Sequence, residues 1–154
     1  MEQLPIKELS AHLPYGIPAI LSQKGVFNQD DEYPNPKTRE LGIIKNISFY
    51  DTEINGELHI DDNYSFDFSE IDEVTICLRV LSDLTDKEIK ELKKLDSGHI
   101  DYITIERENW IERKGYENWL KQIPYGIIEK LLSWNFDIFN LIPRNLAIDI
   151  NTIK

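Results

Sequence analysis

Residues 42–69, GIIKNISFYDTEINGELHIDDNYSFDFS, decide the fold class of this chain. Apolar and polar residues alternate through most of this stretch, and a period of two is typical of strands that are buried on one face. Asn55-Gly56 is the strongest short hairpin signal, because a tight type I′ turn needs positive φ at both central residues. With a further alternating strand at Val74–Leu78, the stretch predicts three or four antiparallel strands in a meander. The alternation is clearest where one face of a strand is aromatic, at Tyr64, Phe66 and Phe68.

Helices are predicted before and after the meander along the chain. The chain starts with a helix from Leu4 to Leu13, and a short strand from Pro18 to Leu21 follows. Thr85-Asp86-Lys87-Glu88 has the pattern of a capping box, so a helix should begin there and run to about Leu95. Pro124 favours the start of another helix, from Tyr125 to about Trp134.

The remaining segments carry weaker signals. Alternating residues predict strands at Asp101–Glu106 and at Leu146–Asn151. Gly25–Arg39 has no usable periodicity, and its prolines indicate an exposed loop. Leu13-Pro14-Tyr15-Gly16-Ile17 is similar to Ile123-Pro124-Tyr125-Gly126-Ile127, a short match that we interpret as coincidence or a reused turn.

These elements predict an α+β fold with a single antiparallel sheet, a meander, and helices packed on one face. We expect one domain over residues 1–154. Its acidic, β-rich half covers about 17–80, and its helical half covers about 84–142 with a closing strand at about 146–151.

Composition narrows the class of protein. The chain has 154 residues, 41% of them hydrophobic, and a formal net charge of −11, from 28 acidic residues against 17 Lys and Arg. Such a balance opposes non-specific binding to nucleic acid or anionic lipid. The single cysteine excludes a disulfide framework and every zinc site that needs several cysteines. No apolar run has the length of a membrane span, and the N-terminus does not resemble a signal peptide, so we expect a soluble cytoplasmic protein.

Motifs of enzyme chemistry are missing from the sequence. It contains neither a phosphate-binding glycine loop nor a Gly-x-Ser-x-Gly elbow. Cys77 lies in an apolar strand, where a lone cysteine is usually a small hydrophobic residue, although it could pair with His59 or His99 as a nucleophile. A metal site at His59, Asp61 and Asp62 is conceivable, but a solvated acidic edge explains these residues better. We therefore expect no catalytic residue, no metal and no cofactor.

One stretch exceeds the ordinary expectation for an acidic protein. Between Lys45 and Arg79 the chain has 33 residues without Lys or Arg. Such a surface would steer a basic partner toward it, although solubility alone also explains acidic surfaces. The nine acidic residues of this stretch are the predicted partner-binding residues: Asp51, Glu53, Glu57, Asp61, Asp62, Asp67, Glu70, Asp72 and Glu73.

Three groups of residues resemble a known pattern. The longest runs from Pro124-Tyr125 through Leu131-Leu132, Trp134 and Phe136-Asp137 to Leu146-Ala147-Ile148-Asp149-Ile150-Asn151. The others are Leu9–Gly16 and the segment Leu78-Arg79 with Leu81–Thr85. Together they cover about a third of the chain, and they resemble a family of small uncharacterised proteins from prophages and mobile elements. Packing explains most of these residues but not His12 or Asn151.

Phage context and acidity together imply a non-enzymatic counter-defence protein. In size and character the chain is similar to inhibitors of RNA-guided nucleases, and we suspect an anti-CRISPR that acts on the type VI-B RNA-targeting effector. The acidic stretch would bind the basic nuclease or its guide-RNA complex.

Two other hypotheses stay open. The chain could be a phage accessory module that binds a replication or packaging protein through an apolar or mixed patch around Trp110 and Trp119. It could also be a small hydrolase or metal enzyme that uses His59, Asp61 and Asp62.

Overall fold

A computed structural model describes residues 6–22, 40–50, 53–62, 64–96, 98, 100–104 and 107–153. In these ranges six strands form one mixed sheet in the order β4-β3-β2-β1-β5-β6. The α+β class is confirmed. The packing of the helices on one face of the sheet stays a prediction. The strands are β1 Ile17–Leu21, β2 Gly42–Tyr50, β3 Glu53–Asp61, β4 Tyr64–Phe68, β5 Val74–Leu78 and β6 Ile148–Asp149.

The three predicted helices are present in the described residues with nearly the predicted bounds. The capping box is confirmed, since the Thr85 hydroxyl accepts from the Glu88 amide and the Glu88 carboxylate accepts from the Thr85 amide. The loop predicted at Gly25–Arg39 lies outside the described residues. The helices are α1 Ile6–His12, α2 Asp86–Leu95, α3 Ile100–Thr104, α4 Arg107–Lys114, α5 Tyr116–Lys121 and α6 Tyr125–Ser133.

The predicted strand at Asp101–Glu106 is wrong where the structure describes it. Helix α3 occupies residues 100–104. Ile100 and Ile103 are both buried, and a spacing of three residues places them on one face of a helix. Four or five residues are too few for periodicity to separate a helix from a strand.

The prediction of a purely antiparallel sheet is also wrong. Strands β1 to β5 pair antiparallel, whereas β6 runs parallel to β5, with Cys77 opposite Ile148 and Leu78 opposite Asp149. A parallel bridge between Arg79 and Phe136 continues this contact. The alternating residues near the C-terminus predicted a strand there, but alternation carries no information on strand direction.

Asn55-Gly56 does not form the predicted turn. Both residues lie inside β3, with Asn55 opposite Ser48, and β2 and β3 stay paired out to Tyr50 opposite Glu53. The chain therefore reverses between residues 50 and 53. The glycine serves a close approach instead, because a Cβ atom at residue 56 would overlap the ring of Phe68, its partner on β4. An aromatic ring that covers a glycine across two strands is a known way to stabilise such a position.

The sheet is not flat, as the short connection between β4 and β5 shows. Five residues, three of them in a 3₁₀ turn, join β4 to β5, although three strands lie between the two in the sheet. Four strand spacings in a flat sheet measure about 19 Å, whereas this connection reaches about 16 Å. The curvature brings Phe66 and Phe68 of β4 into the same apolar cluster as Val74 of β5.

A second apolar cluster lies among the helices. Trp119 and Phe136 are its largest members, and both are almost completely buried. Phe139 packs against this cluster and against the cluster of the sheet. The segment after α6 therefore joins the two cores.

Asparagines shape this joining segment. Asn135, Asn140 and Asn145 have φ near +60°, the left-handed conformation that asparagine tolerates better than most residues. Amides of residues 135 and 136 donate to the carbonyls of residues 132 and 131, and residues 145 and 146 repeat the pattern with 142 and 141. These are two successive Schellman motifs. They explain why the apolar residues of the segment follow no helical period.

Arg79 connects the sheet, the helices and the joining segment. Its guanidinium donates to both carboxylate oxygens of Glu88, at 2.7 and 3.1 Å, and lies 4.1 Å from the ring centre of Phe136. Its backbone amide donates to the Asn135 carbonyl, and its carbonyl accepts from the Asp137 amide. The hydrogen bond to Arg79 lowers the pKa of the Glu88 carboxyl.

We expect Arg79→Met to lower the free energy of unfolding by about 2 kcal/mol, because it leaves a partly buried carboxylate without its charged partner. Arg79→Lys should lower it by about 1 kcal/mol, since lysine cannot form the two parallel hydrogen bonds. Urea unfolding measures both values. Arg113→Met, at an exposed position of α4, is the control and should have little effect. Equal stability of the Arg79→Met variant and the unaltered protein would contradict this role.

Candidate acidic binding face

Two carboxylates face each other on the surface of the meander. Glu57 of β3 lies directly opposite Asp67 of β4. Their neighbours along each strand, Leu58 and Phe66, are buried, so the alternation of the strands places both carboxylates on the outer face. Like charges directly opposite each other destabilise an antiparallel pair.

A groove of about 370 Å³ runs across this outer face. The carboxylates of Glu57 and Asp67 supply its charge. Its other lining residues present both polar and apolar surface. Together with these carboxylates it is lined by Asn46, Ser48, Asn55, Gly56, Phe68 and Ser69.

His59 lies beside the groove. Its Nε2 atom is 3.4 Å from a carboxylate oxygen of Glu57, and both side chains are about one third to two fifths exposed, at 34% and 41%. Only a protonated imidazole would form an ion pair there. Within the described ranges, neither Glu57 nor Asp67 lies within ion-pairing distance of a lysine or arginine.

The other predicted acidic residues fall into two groups. Asp61 and Asp62 are exposed at the β3–β4 turn, and Glu70 and Asp72 are exposed between β4 and β5. Asp51 and the side chain of Glu53 lie outside what the structure describes. We call the exposed set the acidic face: Glu57, Asp61, Asp62, Asp67, Glu70 and Asp72.

Glu73 does not belong to the acidic face, which corrects the prediction. Its side chain is buried, with 4% exposed. Its carboxylate accepts from the amides of Ser69 and Glu70 and from the Ser69 hydroxyl. Glu73 therefore holds the 3₁₀ turn between β4 and β5, because it satisfies donors that the turn leaves open.

Cys77, the candidate nucleophile, is buried and carries a free thiol. Burial raises the pKa of the Cys77 thiol to about 12, so this cysteine stays a thiol at neutral pH. His99 lies outside the described residues. Among those described, no group of three or more His, Cys, Asp or Glu side chains could hold a metal ion. His59, Asp61 and Asp62 therefore do not form such a group.

The aromatic patch predicted around Trp110 and Trp119 is not a surface patch. Trp119 is 1% exposed, and Trp110 is half-buried. Arg107 covers Trp119, with its guanidinium 5.1 Å from the ring centre. In the sequence Arg107 stands between Glu106 and Glu108, and no local signal distinguishes it from the exposed Arg113.

Comparison of the chain with protein-family models, with curated proteins and with solved structures gives no match. Along the described ranges, each helix is too short or too polar to cross a membrane. The prophage family and the nuclease partner thus stay predictions.

The two polar residues that packing did not explain have different roles. Asn151 donates a side-chain hydrogen bond to Asp83, which ties the C-terminal 3₁₀ turn to the turn before α2. His12 is 1% exposed and meets Phe139 edge to face at 5.8 Å. Neither of its ring nitrogens has a hydrogen-bond partner among the residues that the structure describes.

Burial makes His12 a source of acid sensitivity. Desolvation lowers its pKa from 6.5 to about 4, so the folded protein holds the neutral ring where the unfolded chain already binds a proton. Stability contributed by the neutral ring is complete above pH 6.5 and is lost as the pH falls toward 4, by about 3 kcal/mol in total.

We expect His12→Leu to remove this part of the pH dependence. The variant should keep most of its stability at pH 7, because an apolar side chain replaces two unsatisfied nitrogens. Urea unfolding between pH 6.5 and 4 measures the slope. Arg113→Met, which removes an exposed group that does not titrate between pH 6.5 and 4, is the control and should keep the original slope. An unchanged slope in His12→Leu would show that other groups carry the acid sensitivity.

Proposed function

We propose that this protein is a non-enzymatic inhibitor that binds a basic partner protein through its acidic face. The observation that carries the proposal is the pair Glu57 and Asp67, opposed across two strands without a lysine or arginine partner in the described ranges. A pair that destabilises the free sheet gains stability when a cation lies between its members. The acidic face therefore supports intermolecular binding better than it supports folding.

The form of the groove favours basic side chains. Lysine and arginine carry their charge at the end of a long stem, and the arginine fork matches carboxylate geometry. A groove of about 370 Å³ has room for one such side chain beside Glu57 and Asp67. The whole chain has a net charge of −11, and this charge raises the association rate with a positively charged partner.

The nature of the partner rests on the resemblance described above. Proteins that bind RNA do so through lysine- and arginine-rich channels, because phosphates dominate that affinity. An acidic protein competes for the same channel. We propose that the partner is a bacterial RNA-guided nuclease, with the type VI-B RNA-targeting effector as the specific candidate.

Removal of the opposed carboxylates should slow the encounter with that nuclease. For Glu57→Gln with Asp67→Asn, we expect a decrease of about tenfold in the association rate at low salt and a smaller decrease at high salt. Surface plasmon resonance with purified type VI-B effector and guide RNA measures the rate. An RNA-cleavage assay with the same components reports inhibition.

The matched control removes two exposed carboxylates from the helical half, Glu112→Gln with Glu117→Gln. It changes the net charge by the same amount and should leave the association rate nearly unchanged. Equal effects of the two double variants would mean that net charge acts rather than the acidic face. Absence of a complex at low salt would refute the nuclease as partner.

A second candidate function is the phage accessory module, and one observation favours it. The two similar segments, Leu13–Ile17 and Ile123–Ile127, each present a tyrosine at the surface, 37% exposed at Tyr15 and 77% at Tyr125. Partial burial raises the pKa of the Tyr15 phenol, and the charges of Glu129 and Tyr125 raise it further. Exposed tyrosines are frequent anchors of protein interfaces.

If the tyrosines carry the function, Tyr125→Ser should abolish capture of a replication or packaging protein while stability is retained, because the side chain is mostly exposed. Such a complex should survive high salt, whereas a complex formed through the acidic face should dissociate. Affinity capture from phage-infected cells with low-salt and high-salt washes separates the two functions. Loss of the captured protein in Glu57→Gln with Asp67→Asn, but not in Tyr125→Ser, would contradict this candidate.

A further inference from the structure

A second cavity lies in the helical half, away from the acidic face. It has a volume of about 420 Å³ and opens between the turn before α2, the helices α3 and α4, and the segment after α6. This volume lies in the range of small-molecule sites. Part of its wall is apolar, formed by Leu81, Ile103, Ile142 and Pro143.

Arg107 is the cation of this cavity. The ring of Trp119 supports its guanidinium, and because Trp119 is 1% exposed, that support is held firmly in the core. Its Nε atom is buried, and in the part of the chain that the structure describes it has no hydrogen-bond partner. A buried donor without an acceptor destabilises a protein unless something else supplies the acceptor.

The neighbouring carboxylates do not fill this role. Asp137 is buried and lies near Arg107, but its two oxygens accept from the backbone amides of Leu141 and Ile142, at 2.8 and 2.9 Å. Glu108 is exposed at the rim. Both charges act on Arg107 from a distance, and desolvation, the larger effect, lowers the pKa of its guanidinium.

We propose that this cavity binds a small molecule with one carboxylate group, which accepts hydrogen bonds from Arg107. A planar carboxylate matches the planar guanidinium and offers the acceptor that Nε lacks. The body of the ligand contacts the apolar wall. Asp137 and Glu108 oppose a second negative charge, so a monocarboxylate fits better than a phosphate dianion.

The test uses benzoate as the probe, with benzamide as its neutral counterpart and inorganic phosphate as the competing anion. In ¹⁵N-labelled protein, we expect benzoate to shift the Arg107 Nε–H resonance saturably, and benzamide to leave it in place. Arg107→Gln should weaken benzoate binding about tenfold or more, as expected for loss of a charged hydrogen bond. For this variant the amide resonances of residues that line the cavity report binding.

Two further variants keep the test independent of folding defects. Ser82→Trp, at an exposed position on the rim, fills the opening without touching Arg107 and should also abolish the benzoate shift. Arg113→Gln, an exposed arginine of the same helix, should leave it unchanged. No saturable shift with benzoate, an equal shift with benzamide, or tighter binding of phosphate would each overturn the proposal. The Glu57→Gln with Asp67→Asn variant should bind benzoate normally, so the two sites are tested separately.

Discussion

The ion pair between Arg79 and Glu88 links the end of the sheet to the start of α2. Arg79 directly follows β5, Glu88 belongs to the capping box of α2, and Phe136 belongs to the segment after α6. The same arginine uses its backbone to pair with Asn135 and Asp137. Because side chain and backbone act together, the sheet, the start of the helical half and the joining segment have one common point. Arginine is suited to this position, since its planar fork binds two oxygens while its face stacks on an aromatic ring.

Charge has two opposite arrangements in this molecule. On the acidic face, Glu57 and Asp67 lie opposite each other at the surface, where water keeps their repulsion small. At the start of α4, Arg107 is partly desolvated and lies against the buried Trp119. Its Nε donor has no hydrogen-bond partner in the described ranges. The first arrangement favours long-range attraction of a large partner. The second favours a short, directed contact with a small ligand, so the two proposals concern different surfaces and different binding partners.

The failures of sequence-based prediction have physical causes. Asn55-Gly56 is a strong turn signal, yet Phe68 across the strand needs the space that a missing Cβ leaves, and the turn lies elsewhere. In the sequence Glu73 does not differ from the other eight acidic residues of its stretch. Only the folded chain brings its carboxylate to the amides of Ser69 and Glu70. The sequence does not distinguish Arg107 from the exposed Arg113, because burial depends on how the helices pack and not on the adjacent residues.

By itself the sequence determined the α+β class, the alternating strands, the capping box at Thr85 and the long stretch without lysine or arginine. The strands and the capping box depend on residues within a few positions of one another, where side-chain period and local hydrogen bonding act, and the stretch without lysine or arginine is a property of composition. Only the tertiary structure decided that β6 runs parallel to β5, that Glu57 opposes Asp67, and that His12 is buried without a partner among the described residues. These features depend on strand register and on contacts between distant segments, and neither is encoded in any short stretch of sequence.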